Sequence, residues 1–440
     1  MRFRFAPLAV AVALAAGPAV AAPADALKKG TPAVNSISAL AFGPNGLLFI
    51  GDPESATITA VDTGDAQPGG KGDVNVANLG EQVGAALGTD KANITVNVVK
   101  VNPASGTIYL AVTRGRGKEG APAVVKMTRD GKLSLFELKD VSFAQVKIPN
   151  ASDRQRTEAI TSLAFIDGKV IVAGLSNEEF ASTLRAIPYP FAEADKGTSV
   201  EVFHGAHGRL ETNAPVRSFV PYKISGADYI LASYQCTPLV KFPLSDLKPG
   251  QKVRGTTIAE LGNRNRPLDM IVYTKDKQDF VLMANNARGV MKIPADQFDK
   301  AEPITTRPQG DTAGVKYETI GELKGVTQLD KLDDGRALVL IQDPPPAQGG
   351  KGKQLAPAAD TKLILKSIPL PYALTGPPRR AAPTGRGRPP WRAAKPPSSA
   401  GLADLSEARS ILLGLSPPRP LIPRVRSCPR TRLGRSSPPG

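Results

Sequence analysis

Both histidines of the 440-residue chain sit in one short phrase, Phe203-His204-Gly205-Ala206-His207-Gly208-Arg209, with Glu211 two residues further on. On an extended strand, residues i and i+3 point to opposite faces. Gly205 and Gly208 permit a turn that would bring the two imidazoles together. Two imidazoles and the Glu211 carboxylate would make three ligands for zinc or a similar divalent ion and leave one position open. The competing reading is a glycine-rich crossover whose histidines hydrogen-bond neighbouring loops. Cys236 follows Tyr234-Gln235. It could act as a nucleophile if His204 or His207 lay beside it as base, or be a small, inert, buried thiol. The chain has no C-x-x-C-H, G-x-S-x-G or H-E-x-x-H. Covalent c-type haem, the hydrolase nucleophile elbow and the zincin helix therefore find no support.

A second set, Arg264, Arg266, Asn285, Asn286 and Arg288, collects forked and amide donors. Guanidinium forks suit carboxylates and phosphates. This set would take a small anionic ligand, such as a sugar acid or a carboxylated cell-envelope fragment, or a protein partner. Nearby loops also carry acids, Asp52 and Glu54 among them, so the alternative is a rim of surface salt bridges.

The elements that must position these residues repeat. Six times between Ile37 and Leu370 an apolar strand leads through a tight turn into a second strand, a variable loop and a third strand. Examples are ISALAFGPNGLLFIGDPESATITAVD, ITSLAFIDGKVIVAGLSNEEFASTLRAI and RSFVPYKISGADYILASYQCTPLVKFPL. Five copies turn at Asn45-Gly46, Ser105-Gly106, Asp167-Gly168, Ser225-Gly226 and Asp334-Gly335, pairs suited to tight hairpins. The fifth copy carries Lys275-Asp276-Lys277-Gln278, read as a longer polar loop. Such repeats predict an all-β fold, a single β-propeller of six blades, because no blade buries both faces until its neighbours stack on it. A seventh blade would fit only if the stretch Asp73 to Asn93 held a further pair of strands. Fourth strands are expected at Ser134 to Leu138, Ser199 to Phe203, Thr257 to Leu261 and Tyr317 to Ile320, which are rich in β-branched and aromatic residues. With strands named a to d outward, the b–c loops and d-to-a crossovers share one face, and that face gathers both candidate sets. The sixth copy lacks a fourth strand. The mature N-terminus, Pro23 to Asn35, is expected to supply it, since an open edge leaves backbone groups unpaired.

The two ends read differently. Arg2 and Arg4, an apolar run from Ala6 to Val20 and Ala19-Val20-Ala21 form an export signal over residues 1–21, and no segment is long enough to span a bilayer. Residues 22–375 are the propeller, expected to be periplasmic or secreted and monomeric. Residues 376–440 hold 14 prolines, and 13 Lys and Arg against 2 acids. This Pro/Arg-rich tail is expected to be disordered. It reads either as a basic segment for a membrane or polyanion, or as high-GC DNA translated out of frame. It also carries most of the formal charge of +16 and leaves +5 for residues 1–375. That near-neutral body gives no support for nucleic-acid binding.

The phrase L-x-F-x-x-[ND]-G-x-L-x-[VI] resembles the repeats of bacterial exported propellers of the NHL, YVTN and gluconolactonase-like type, over about residues 37–370. The resemblance is to a repeat style and aligns no ligand set residue by residue. It implies an exported binding propeller. The alternative it leaves open is a metal-dependent lactonase-type hydrolase or an oxidoreductase-associated propeller.

Overall fold

The computed structural model describes residues 26–236, 238–345 and 360–371. The export signal and the Pro/Arg-rich tail lie outside these residues. Within them the sheets form six blades, as the repeats require. Blade 1 is built on Ala39–Phe42, Leu47–Asp52 and Thr57–Asp62, blade 2 on Ile94–Val101, Ile108–Arg114, Ala121–Met127 and Leu133–Phe136. Blade 3 comprises Ser162–Ile166, Lys169–Leu175, Ser182–Pro188 and Thr198–His204, and blade 4 Ser218–Ile224, Ala227–Ser233, Pro238–Pro243 and Thr256–Leu261. Blade 5 is Pro267–Lys275, Gln278–Asn285, Gly289–Pro294 and Glu318–Ile320. Blade 6 has Val326–Lys331, Arg336–Asp343 and Lys362–Pro369. The fourth strands of blades 2 to 5 fall where their alternation placed them.

The hairpin turns follow from backbone freedom. Asn45, Asp167 and Ser225 have φ of 56°, 48° and 48°, each followed by a glycine at positive φ. The fifth copy departs from expectation. Lys275 pairs directly with Gln278, and Asp276 and Lys277 take φ of 50° and 64°. It is a two-residue turn made without glycine, not a longer loop.

Six apolar cores fill the joins between blades, and they give the ring order. Leu40 and Leu48 of blade 1 pack with Tyr109 and Ala111 of blade 2. Phe49 and Ile58 of blade 1 pack with Leu163 and Val172 of blade 3 on the other side. Blade 2 packs in turn on blade 6, where Val96, Leu110 and Val125 meet Leu338, Leu340 and Leu365. The remaining cores join blades 3 to 4, 4 to 5 and 5 to 6. The ring therefore runs 2, 1, 3, 4, 5, 6, with the first two copies exchanged.

Two crossings make this exchange. After blade 1's third strand the chain passes to the outside of blade 6, where Asn75–Val76 pairs antiparallel with Lys362–Pro369 as its fourth strand. An α-helix, Leu79–Ala86, then tucks Leu79 and Val83 into the core between blades 6 and 2. The chain builds blade 2 and returns to supply blade 1's fourth strand, Val141–Lys147. The stretch from Asp73 to Asn93 thus holds one short strand and one helix rather than an extra pair of strands. The N-terminal expectation is corrected too. Lys28–Gly30 pairs with Val141–Lys147 at the outer edge of blade 1 and does not reach blade 6. Its place at the closing edge is taken by a segment that the sixth blade never meets in sequence. No helix among the described residues is long and apolar enough to cross a membrane.

Candidate functional site

The histidine phrase folds as a hairpin at the end of blade 3's outer strand. His204 closes Thr198–His204, and Arg209–Glu211 turns back to pair with it, His204 opposite Arg209 and Val202 opposite Glu211. Gly208 supplies a φ of 66° in the turn. Gly205 is required for a different reason: a Cβ there would stand 2.8 Å from an oxygen of Glu260. The turn brings the two imidazoles together, with ring centroids 4.1 Å apart and planes tilted by 40°. Nδ1 of His204 donates to one Glu211 oxygen at 2.8 Å, and Nδ1 of His207 to the other at 2.6 Å. Glu211 thus spends both oxygens on fixing both rings. Burial alone would raise its pKa, but the two imidazole bonds prevail and push it down to about 2.

Cys236 comes to this hairpin from the next blade. It sits in blade 4's b–c loop at a φ of 59°, held by its N–H donating to the Asn265 carbonyl at 2.8 Å. A ring nitrogen of each histidine and the Cys236 sulfur all lie within 4.8 Å of one another. His204 is 2% exposed, and its Nε2 is buried with no hydrogen-bond partner. Burial would lower the His204 pKa, but the facing Cys236 sulfur and Glu211 lift it to about 9. The reciprocal attraction of His204 lowers the Cys236 thiol against the opposing effect of burial. Glu260, on blade 4's outer strand, accepts the Gly205 N–H through one oxygen, while its buried Oε2 has no partner. Burial raises its pKa. The arrangement presents two imidazoles and a thiol toward one point, backed by two carboxylates. The sequence placed His204, His207 and Glu211 together. It offered no measure of how near Cys236 would come, because that adjacency crosses a blade boundary.

The arginine and asparagine set occupies the neighbouring loops of blades 4 and 5, with much of its bonding capacity spent there. Asn286 Oδ1 accepts the Arg266 N–H at 2.7 Å. Asn285 Oδ1 accepts the N–H groups of Ala287 and Arg288, both at 3.0 Å, and its Nδ2 donates to Asn265 Oδ1 at 3.0 Å. Arg288 reaches across Gly262 to the Asn263 carbonyl at 3.4 Å. Arg266 is half-buried, and burial lowers its pKa. Arg264 is exposed at a φ of 55°. These asparagines pin the two loops to each other. Asp52, another loop acid, is wholly buried and accepts bonds from five donors of residues 35–55.

Sequence reasoning missed the axial cavity. It encloses about 960 Å³, walled by the inner strands of all six blades and by the a–b turns of blades 2 and 6. Lys100, Asp269 and Asp330 line it from blades 2, 5 and 6. Lys100 Nζ stands 3.4 Å from Asp330. Each acid also staples its blade to the next: Asp330 accepts the Val101 N–H at 2.6 Å, and Asp269 accepts that of Leu329 at 2.9 Å. Burial pushes the Asp269 pKa up to about 6, with neighbouring Asp330 adding to the rise and Lys100 opposing it. The available signal was a charged residue inside each of three inner strands, Ile94–Val101, Pro267–Lys275 and Val326–Lys331.

No family model matches this sequence, and no curated protein does so either. Among solved structures, the chain is similar to the PQQ-bound form of an aldose sugar dehydrogenase from Streptomyces coelicolor, at 14% identity and a TM-score of 0.30, over 77% of this chain and 96% of that one. It is similar also to the extracellular domains 1–2 of Drosophila semaphorin 1b, at 10% identity and a TM-score of 0.35, over 76% and 87% of the two chains. At such identities and scores neither likeness bears on what this chain does.

Proposed function

We propose that the protein is an exported binding propeller that takes a small polyhydroxylated ligand, a sugar or sugar acid, into its axial cavity. The export signal of residues 1–21 supports the location. The observation that carries the reading is the cavity itself. About 960 Å³ on the ring axis is ample for a small ligand, and Lys100, Asp269 and Asp330 stand on its wall among further charged residues. The ammonium and carboxylates of Lys100, Asp330 and Asp269 supply donors and acceptors of the kind that ordered hydroxyls need. Lys100 and Asp330 are already paired, so the wall favours many hydrogen bonds over one strong ion contact.

Calorimetric titration with neutral hexoses, uronic acids and aldonic acids tests this. A member of the panel should bind the wild type, and Lys100→Met should abolish the heat while the melting temperature moves by only a few degrees. Silence across the panel, or an unchanged affinity in Lys100→Met, rejects the axial site.

Asp269 gives the cavity a pH signature. In the native state its carboxyl stays protonated between the ordinary 3.8 and about 6, a range in which the unfolded chain has released that proton. Its contribution to stability is therefore present below the unfolded value and lost as the pH climbs through about 6. Carboxyl ¹³C NMR, with the resonance assigned by its absence in Asp269→Asn, should give a midpoint near the upper value. A midpoint near the lower one would show that water reaches this wall freely.

A further inference from the structure

We propose that His204, His207 and Cys236 form a mononuclear metal centre, separate from the axial cavity, for a borderline-soft divalent ion such as zinc or copper. The donor set excludes the hard cations. Calcium and magnesium take oxygen ligands, whereas imidazole with thiolate selects zinc or copper. Two imidazole nitrogens and one sulfur converge within 4.8 Å, from the blade 3 crossover and the blade 4 loop.

The second observation is an unused coordinating atom. His204 Nε2 is buried without a partner in a side chain that is 2% exposed. Leaving a buried polar nitrogen unsatisfied is destabilising, and an ion bound there would remove that penalty. Glu211 makes this nitrogen available. By holding Nδ1 of both rings at 2.8 and 2.6 Å it leaves Nε2 as the atom of each ring available to coordinate, and a bound ion would displace any proton carried there. A carboxylate behind a ligating histidine is the usual outer partner of such a ligand. Glu211 is thus assigned an orienting role, and Cys236 supplies the third donor.

A second buried polar atom at this hairpin is also unspent. The Glu211 and Glu260 carboxylates both pack against this hairpin, and Glu260 also leaves an oxygen without a partner. Tetrahedral zinc would need its donors about 3.3–3.6 Å apart, so the present spread closes on binding. His207 has the freedom to close it, since its side chain is 45% exposed, whereas His204 is fixed. Three protein donors leave one position open, the pattern of reactive rather than purely structural zinc sites.

The test uses the full chain purified without a histidine tag, stripped with chelator, and titrated separately with Zn²⁺, Co²⁺ and Cu²⁺. One equivalent should bind. The cobalt form should show a thiolate-to-metal charge-transfer band that Cys236→Ser removes. Glu211→Gln should weaken zinc by about 10–100-fold, and His207→Ala and Cys236→Ser by more. Both ligand variants alter accessible loop positions, and circular dichroism checks that they fold. Zinc should also protect Cys236 from alkylation by iodoacetamide. No stoichiometric uptake, or uptake unchanged in Cys236→Ser and His207→Ala, overturns the proposal. Rapid alkylation that zinc fails to slow would overturn it in favour of a histidine-activated nucleophilic thiol.

Discussion

Asp52→Ala should lower the unfolding free energy by roughly 3 kcal/mol, a large effect for a residue in a loop-rich corner. The carboxylate is wholly buried at the end of blade 1's second strand. It accepts the Asn35 N–H and the Ser55 hydroxyl at 2.7 Å, the Ser36 hydroxyl at 2.6 Å, and the N–H groups of Glu54 and Ser55 at 3.1 and 3.3 Å. Alanine leaves all five donors without that acceptor. Some reach water, since Asn35 is exposed, which keeps the loss below the sum of five separate penalties. Asp52→Asn keeps the shape but one of its two polar atoms becomes a donor facing donors, so it should fall between wild type and alanine. Equilibrium urea unfolding measures both. A loss under 1 kcal/mol in Asp52→Ala would mean that solvent replaces the carboxylate and that the corner is not organised by it.

Val76→Asp should be as damaging, because it strikes ring closure. Val76 is 6% exposed and packs with Leu79, Leu338 and Leu365 in the core between blades 6 and 2. The substitution removes about 1.5–3 kcal/mol of apolar burial and adds an unpaired buried carboxylate. The outer edge of blade 6 should then open and become sensitive to limited proteolysis near residues 362–371. Removing Lys28–Gly30 is the informative contrast. That strand caps the exposed edge of a blade that already has four strands, and Lys28 contributes a cation–π contact of 5.1 Å to Phe143. Its loss should cost about 1 kcal/mol. If the N-terminal deletion proved the more destabilising of the two, the closing role assigned to Asn75–Val76 would be wrong.

These two predictions mark where the sequence is legible and where it is not. Strand periodicity and turn pairs are local, so six copies and the fourth strands of blades 2 to 5 could be read directly. Pairing across the ring is not local. Asn75–Val76 is too short to alternate, and nothing in Val141–Lys147 says that its partner, Thr57–Asp62, lies far upstream rather than beside it. The site divides in the same way. His204, His207 and Glu211 belong to one glycine-linked hairpin and announced themselves together. Cys236 reaches them only because blade 4 follows blade 3 around the ring. Asp52 reads in the sequence as a loop acid for surface salt bridges at the rim, yet burial makes it an internal acceptor. Lys100, Asp269 and Asp330 went unread because they lie on three separate strands that only the closed ring brings together.

The exchanged order of blades 1 and 2 constrains how this gene can change. Blades 3, 4 and 5 each draw their four strands from one contiguous stretch, so duplicating or deleting one would copy or remove all four and disturb only a short edge strand shared with a neighbour, Lys252–Arg254 on blade 3 or Thr312–Gly314 on blade 4. Residues 28–147 do not divide that way. A break between the first two blades would strand three inner strands without their fourth and take with it the strand that closes blade 6. Tandem recombination can therefore act on the later half of the ring one blade at a time. The first third must be inherited whole.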